Sequence, residues 1–227
     1  MRPKSLYYRV FRAVLVLMLL IIALNLQAQL DTVSNPAQFV FPEFSVGVVK
    51  MKTGEKVILN LNYNILTEKM VFKQKNKIYD IVNPNTIDTV YIHEVKFVPM
   101  GKVFYEVLVS GPSSLFYQHA GNLKKPSRPA AYGGTTEVSS STYINNLPLG
   151  NDVYRMEKNK EVVVEDKSVI WIRKNNLMYA VTDKKHLFAA LTDKKEELKQ
   201  YIRKNEVKID NPYQMTDLIK YYDGLLQ

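Results

Sequence analysis

Three histidines, His93, His119 and His186, are the whole imidazole inventory of a 227-residue chain that contains no cysteine. Thiol nucleophiles, Cys-ligated zinc and iron–sulfur clusters are therefore excluded, and so is a lipid-modified cysteine behind an export signal. The histidines do not stand at ligand spacing. No HExxH, no paired His/carboxylate spacing and no compact aspartate cluster occurs, so neither a metal nor a cofactor is expected. His93 stands beside Glu94 in a predicted strand, on the face of Tyr91, Val95 and Phe97, where a structural histidine with satisfied bonds is expected. His119 opens a long loop, and His186 falls in the first turn of a predicted helix. The serines offer no nucleophile elbow, since GxSxG is absent and Ser139, Ser140 and Ser141 lie in the loop. Gly133-Gly134 lacks both the lysine and the strand-to-helix setting of a phosphate loop. Glu157, Glu161, Glu165 and Asp166 lie among lysines, as on a solvated surface. No catalytic residue is expected, and a carboxylate-dependent hydrolase, which needs two facing carboxyl groups, ranks third among the readings.

The aromatic residues carry the remaining signal. The chain holds fifteen tyrosines. Tyr117, Tyr132 and Tyr143 are in or beside the long loop, together with His119 and Arg128. These five are the candidate binding residues, because tyrosine joins a flat contact area to a polar tip and suits protein or sugar surfaces. The competing explanation is that tyrosine simply favours strands.

The elements that must position these residues are strands first and helices last. Val57, Leu59, Leu61 and Tyr63 alternate with Asn60 and Asn62, the period of two of a half-buried strand. Met70-Val71-Phe72, Ile78-Tyr79, Val90-Tyr91-Ile92, Val95–Val98 and Val103–Val109 continue the series, with turn signals at Gly54, Lys75-Asn76, Gly101-Lys102 and Gly111-Pro112. Residues 120–150 lose the rhythm and read as a long connection. Strands return at Glu161–Glu165, Val169–Arg173 and, after Asn175-Asn176, Leu177–Val181. Beyond Thr182 the pattern turns helical. Thr182-Asp183-Lys184-Lys185 and Thr192-Asp193-Lys194-Lys195 repeat ten residues apart and read as two helix starts, with Asp193 and Glu196 spaced as a capping box. Leu198, Tyr201 and Ile202 share a helical face. Asn211-Pro212 is an N-cap with a first-turn proline, followed by Met215, Leu218, Ile219 and Tyr222 as a buried stripe. The fold class predicted is mainly β (α+β): an antiparallel β-meander or half-barrel over residues 29–182, with a C-terminal helical segment over 183–227.

Residues 1–28 read as a signal peptide. Arg2, Lys4, Arg9 and Arg12 precede an apolar run from Ala13 to Leu24, and Ala28 ends a short polar stretch. The run is shorter than the roughly 20 apolar residues of a membrane span, so no transmembrane segment is expected after cleavage. Those four basic residues supply four of the nine net positive charges, and the remaining 199 residues carry only +5, too mild to argue for nucleic acid. The lysines of the helical tail, among them Lys184, Lys185, Lys194, Lys195, Lys199 and Lys204, could meet anionic headgroups. Asp193, Glu196 and Glu197 interleave with them, so an ordinary exposed helix face is expected.

Lys52-Thr53-Gly54-Glu55 leading into Leu59–Asn64, Val71-Phe72 with Asn83-Pro84 and Ile87-Asp88, Phe97-Val98-Pro99 and the closing Lys/Tyr-rich helices resemble a family of exported β-rich proteins of the Bacteroidota with no known activity. The leader ending in Gln27-Ala28-Gln29 is similar to theirs, and the resemblance covers most of the chain beyond it. It implies a periplasmic or outer-membrane-associated protein and brings no functional residues. The function expected is that of a non-enzymatic envelope protein that binds another protein, or serves as a subunit of an outer-membrane assembly. The alternative is a small-molecule or glycan binding module.

Overall fold

The computed structural model describes residues 36–75, 77–124 and 163–226. The predicted signal peptide lies outside them. Twelve strands and three helices make up the described residues: β1 (Ser45–Met51), β2 (Lys56–Asn64), β3 (Lys69–Gln74), β4 (Lys77–Asp80), β5 (Ile87–Ile92), β6 (Val95–Met100), β7 (Val103–Val109), β8 (Ser113–Gln118), β9 (Gly121–Lys124), β10 (Val163–Asp166), β11 (Val169–Lys174), β12 (Leu177–Val181), α1 (Lys184–Ala190), α2 (Lys195–Lys204) and α3 (Pro212–Gly224). Ten strands form one antiparallel sheet in the order β12-β11-β8-β7-β6-β5-β1-β2-β3-β4, and β9 and β10 form a small sheet of their own.

The meander expected is present as two meanders that share a seam. β1 to β4 run outward in one direction, then the chain returns through the turn Pro84–Thr86 and lays β5 on the other edge of β1. The sheet curls far enough for β3 to pack across from β7, and for Gln118 of β8 to donate to Glu68 in the β2–β3 turn at 2.5 Å. It does not close, since β4 and β12 remain separate edges.

Turn chemistry fixes the register. Asn175 (φ 52°) and Asn176 (φ 63°) form the two-residue β11–β12 turn in the left-handed conformation that asparagine tolerates. His93 (φ 52°) begins the corresponding two-residue turn between β5 and β6. It is an exposed turn residue, not the strand residue the alternation predicted.

One cross-sheet row shows where the core sits. Val57, Val49, Val90, Phe97, Glu106, Tyr117, Ile170 and Val181 are successive partners across eight strands, all on the concave face. At one end of this row lies a core of Val49, Leu61, Tyr63, Met70, Val90, Phe97 and Phe104. At the other end Leu115, Ile170, Ile172 and Val181 pack beneath the helices. Met215, Leu218, Ile219 and Tyr222 of α3 are all fully buried there, each contributing about 1.5–3 kcal/mol of apolar transfer. Among the described residues no helix is long and apolar enough to cross a membrane.

Two local expectations are corrected. Asn62 does not face solvent with Asn60. It is fully buried, because the segment before β1 runs back along β2 and uses the Asn62 side chain as its partner. Asn62 Oδ1 accepts from the N–H of Phe41 at 3.1 Å, and Nδ2 donates to the Phe41 carbonyl at 2.9 Å. The second correction concerns the Thr-Asp-Lys-Lys repeat. Asp183 does cap α1, accepting from the His186 N–H at 2.8 Å. The second copy forms a 3-10 turn instead, and Asp193 caps nothing.

Candidate functional site

Within the cross-sheet row, Glu106 and Tyr117 interrupt the apolar series, at the boundary between the two halves of the core. Such a break needs a physical reason, because a charged side chain on a buried face costs free energy unless it is partnered. His119 supplies the partner. Two residues beyond Tyr117, and so on the same face, its Nε2 lies 2.6 Å from Glu106 Oε2. A carboxylate only accepts, so Nε2–H is the donor, and Nδ1 remains as the second hydrogen-bonding position of the ring. Aromatic rings hold the imidazole in place: Tyr117 edge-on at 4.6 Å, Tyr63 at 5.9 Å and Phe97 at 6.2 Å between centroids.

Tyr117 and His119 form one wall of an open groove of about 620 Å³. Phe39, Val40 and Ile65 line its apolar side, and Asp166 and Ser168 come from the end of β10 and the residues beyond it. Lys208, Asp210, Asn211, Pro212 and Tyr213, the approach to α3 and its first turn, complete it. Local backbone chemistry explains this last wall. Asn211 Oδ1 accepts from the N–H groups of Tyr213 (3.0 Å) and Gln214 (3.1 Å), so the helix start is already satisfied and Tyr213 is left 73% exposed.

Burial raises the pKa of the Tyr117 phenol. A hydrogen bond with Ser168 works against this rise, and the charges of Asp166 and Glu106 reinforce it. Tyr117 therefore presents a neutral hydroxyl, able both to donate and to accept. Deeper in, the Tyr63 hydroxyl is buried without a hydrogen-bond partner among the described residues, and burial again pushes its pKa upward. Tyr213, Tyr117, Asp166, Ser168 and Asp210 can together stack against a ring and hydrogen-bond to hydroxyls.

Of the five candidate binding residues, the structure brings together Tyr117 and His119. Neither is in the loop proper: Tyr117 is inside β8, and His119 stands between β8 and β9. The first residues of the predicted loop are a strand, β9, whose pairing with β10 makes Gly121 opposite Asp166 and Lys124 opposite Val163. Arg128, Tyr132 and Tyr143 lie outside the described residues. Glu106 is not among the candidates drawn from the sequence, although alternation along β7 sets it on the face of Phe104, an acid on an apolar stripe that could have marked it. Tyr213, Lys208 and Asp210 left no such signal, since only the packing of α3 against the sheet brings them to β8. No group of three or more His, Cys, Asp or Glu side chains gathers as metal ligands among the described residues. Comparison with models of protein families, with curated proteins and with solved structures finds no match.

Proposed function

We propose that this chain is an exported, non-catalytic protein of the cell envelope that acts by binding, and that the groove beside Tyr117 takes a hydroxyl-rich small molecule or glycan. The observation that carries this reading is the concave, aromatic-lined groove itself. Ligand sites are typically clefts of about 300–1,000 Å³ with a few convergent polar groups. A sugar offers a C–H face for Tyr213 and hydroxyls for Asp166, Asp210 and the neutral Tyr117 phenol. This moves the glycan reading ahead of the protein partner that the sequence expectation put first.

The test is a titration of the purified protein with a panel of mono- and oligosaccharides, followed by ligand-observed NMR. Tyr213→Ala should weaken the best ligand at least tenfold and leave the melting temperature unchanged. Absence of binding across the panel, or an unaffected variant, removes the proposal. Recovery of shortened oligosaccharide would instead favour carboxylate-dependent hydrolysis through Asp166 and Asp210.

A second reading, an accessory subunit of an outer-membrane assembly, has its own observation. On the convex face, Val46 (72% exposed) and Ile58 (70%) stand diagonally across the β1–β2 pair, with Tyr91 exposed opposite Val48 on β5. An exposed cluster of this kind marks a contact surface. Ile58→Lys should abolish co-purification of a stoichiometric envelope partner; a protein that purifies alone from its own envelope counts against the reading.

A further inference from the structure

We infer that the cleft between α1 and α2 is a separate binding site for a single-chain amphiphilic anion, an alkyl chain carrying one carboxylate or phosphate. The cleft measures about 490 Å³ and shares no lining residue with the groove beside Tyr117. Its floor is apolar: Ile202 and Val207 are buried, and Phe188 is half-buried against the helical core. Its rim carries Lys184, Lys199 and Arg203, with Glu206 as the opposing acid.

The sequence builds both halves. Leu198 and Ile202 turn inward from α2, which puts Lys199 and Arg203, four residues apart, together along its flank. α2 then ends with Glu206 in the left-handed conformation (φ 51°) and the Val207 N–H donating back to the Ile202 carbonyl at 3.0 Å. That closing bond is what folds Val207 under the helix and into the floor. Lys184 enters from the first turn of α1, and Lys195 adds a fourth cation, with its Nζ 5.8 Å from the centre of the Phe188 ring.

The charges are available. Lys199 pairs with Glu196 at 2.7 Å in an exposed (i, i+3) contact, which is worth little. Lys184 and Arg203 have no ion-pair partner among the described residues. A small inorganic anion would leave the half-buried Phe188 ring uncovered, and a neutral alkyl chain would leave the cations unmatched. A ligand with both parts satisfies the whole cleft. A soluble amphiphile and a lipid in a bilayer share this chemistry, and the experiment separates them.

The purified protein is titrated calorimetrically with dodecyl phosphate below its micellar concentration, with dodecyl maltoside, with inorganic phosphate and with phosphatidylglycerol vesicles. Saturable 1:1 binding of dodecyl phosphate is expected, and neither dodecyl maltoside nor inorganic phosphate should match it. The double variant Lys184→Glu/Arg203→Glu, at two exposed positions, should weaken it at least tenfold with the same melting temperature. Equal binding of dodecyl maltoside or of inorganic phosphate overturns the proposal, as does undiminished binding by the variant. Vesicle binding without binding of the monomeric amphiphile also overturns it, and assigns these cations to a membrane surface instead.

Discussion

A β-carbon at Gly47 would drive into the carbonyl oxygen of Tyr91 on β5 and stand 2.8 Å from Leu61 Cδ1 on β2. The neighbour on the first side is backbone, which cannot swing away. Gly47→Ala should therefore destabilise the protein by about 1–3 kcal/mol, as overpacking of a closely fitted core does. Urea denaturation checks this through the midpoint at unchanged slope. His93 and Asn62 make the opposite point at the same scale. Both follow the alternation of their strands in sequence, yet His93 is a left-handed turn residue and Asn62 a buried stand-in for a missing strand partner. Alternation reports which face a side chain points to, not what other segment arrives to cover that face.

The start and the buried face of α3 were legible. Asn211 and Pro212 mark its start, and the four-residue stripe from Met215 to Tyr222 is buried as the period requires. Loss of the cap in Asn211→Ala should cost about 1 kcal/mol, and Asn211→Asp should retain most of it. Thermal melting of the two variants side by side distinguishes a capping role from a general intolerance at the site. The same rules misjudged the second Thr-Asp-Lys-Lys copy, for a reason in three dimensions. Lys174 of β11 and Tyr222 of α3 compete for the Asp193 carboxylate and win it from the helix start. Lys174 Nζ donates to Asp193 Oδ1 at 2.7 Å and the Tyr222 hydroxyl donates to it at 2.7 Å, while Lys174 also contacts the Tyr222 hydroxyl. A repeat in sequence is a repeat in structure only where both copies have the same neighbours.

That cluster ties the helical layer to the sheet, so its effect belongs to the whole molecule. Hydrogen bonding from Lys174 lowers the Asp193 pKa, partly opposed by burial and helped by Tyr222. Burial works against the Lys174 ammonium, yet its bonds to Asp193 and Tyr222 hold its pKa above the ordinary value. A carboxylate with a lowered folded-state pKa contributes stability that is complete above its unfolded value of about 3.9 and disappears as pH falls through the folded one. Asp193→Asn should thus be less stable than the parent at pH 7, and the gap should narrow between pH 5 and pH 3. With the carboxyl 42% exposed, the gap at neutral pH should stay below about 1 kcal/mol. Urea midpoints across that pH range measure it. Most of the strands, the helices and the antiparallel pairing of neighbours were readable from local pattern, whereas β9, inside the predicted loop, and the insertion of β1 between β2 and β5 were not, the latter because no local signal encodes which edge a returning strand takes. The insertion matters most while the chain is being made. β2 is synthesised directly after β1 and can cover one side of it within 13 residues, but the partner for the other side ends at Ile92. Until then the growing polypeptide carries an unpaired strand edge, a template for association with other chains. A ribosome stall in that interval would release a fragment whose first strand lacks half of its hydrogen-bonding partners.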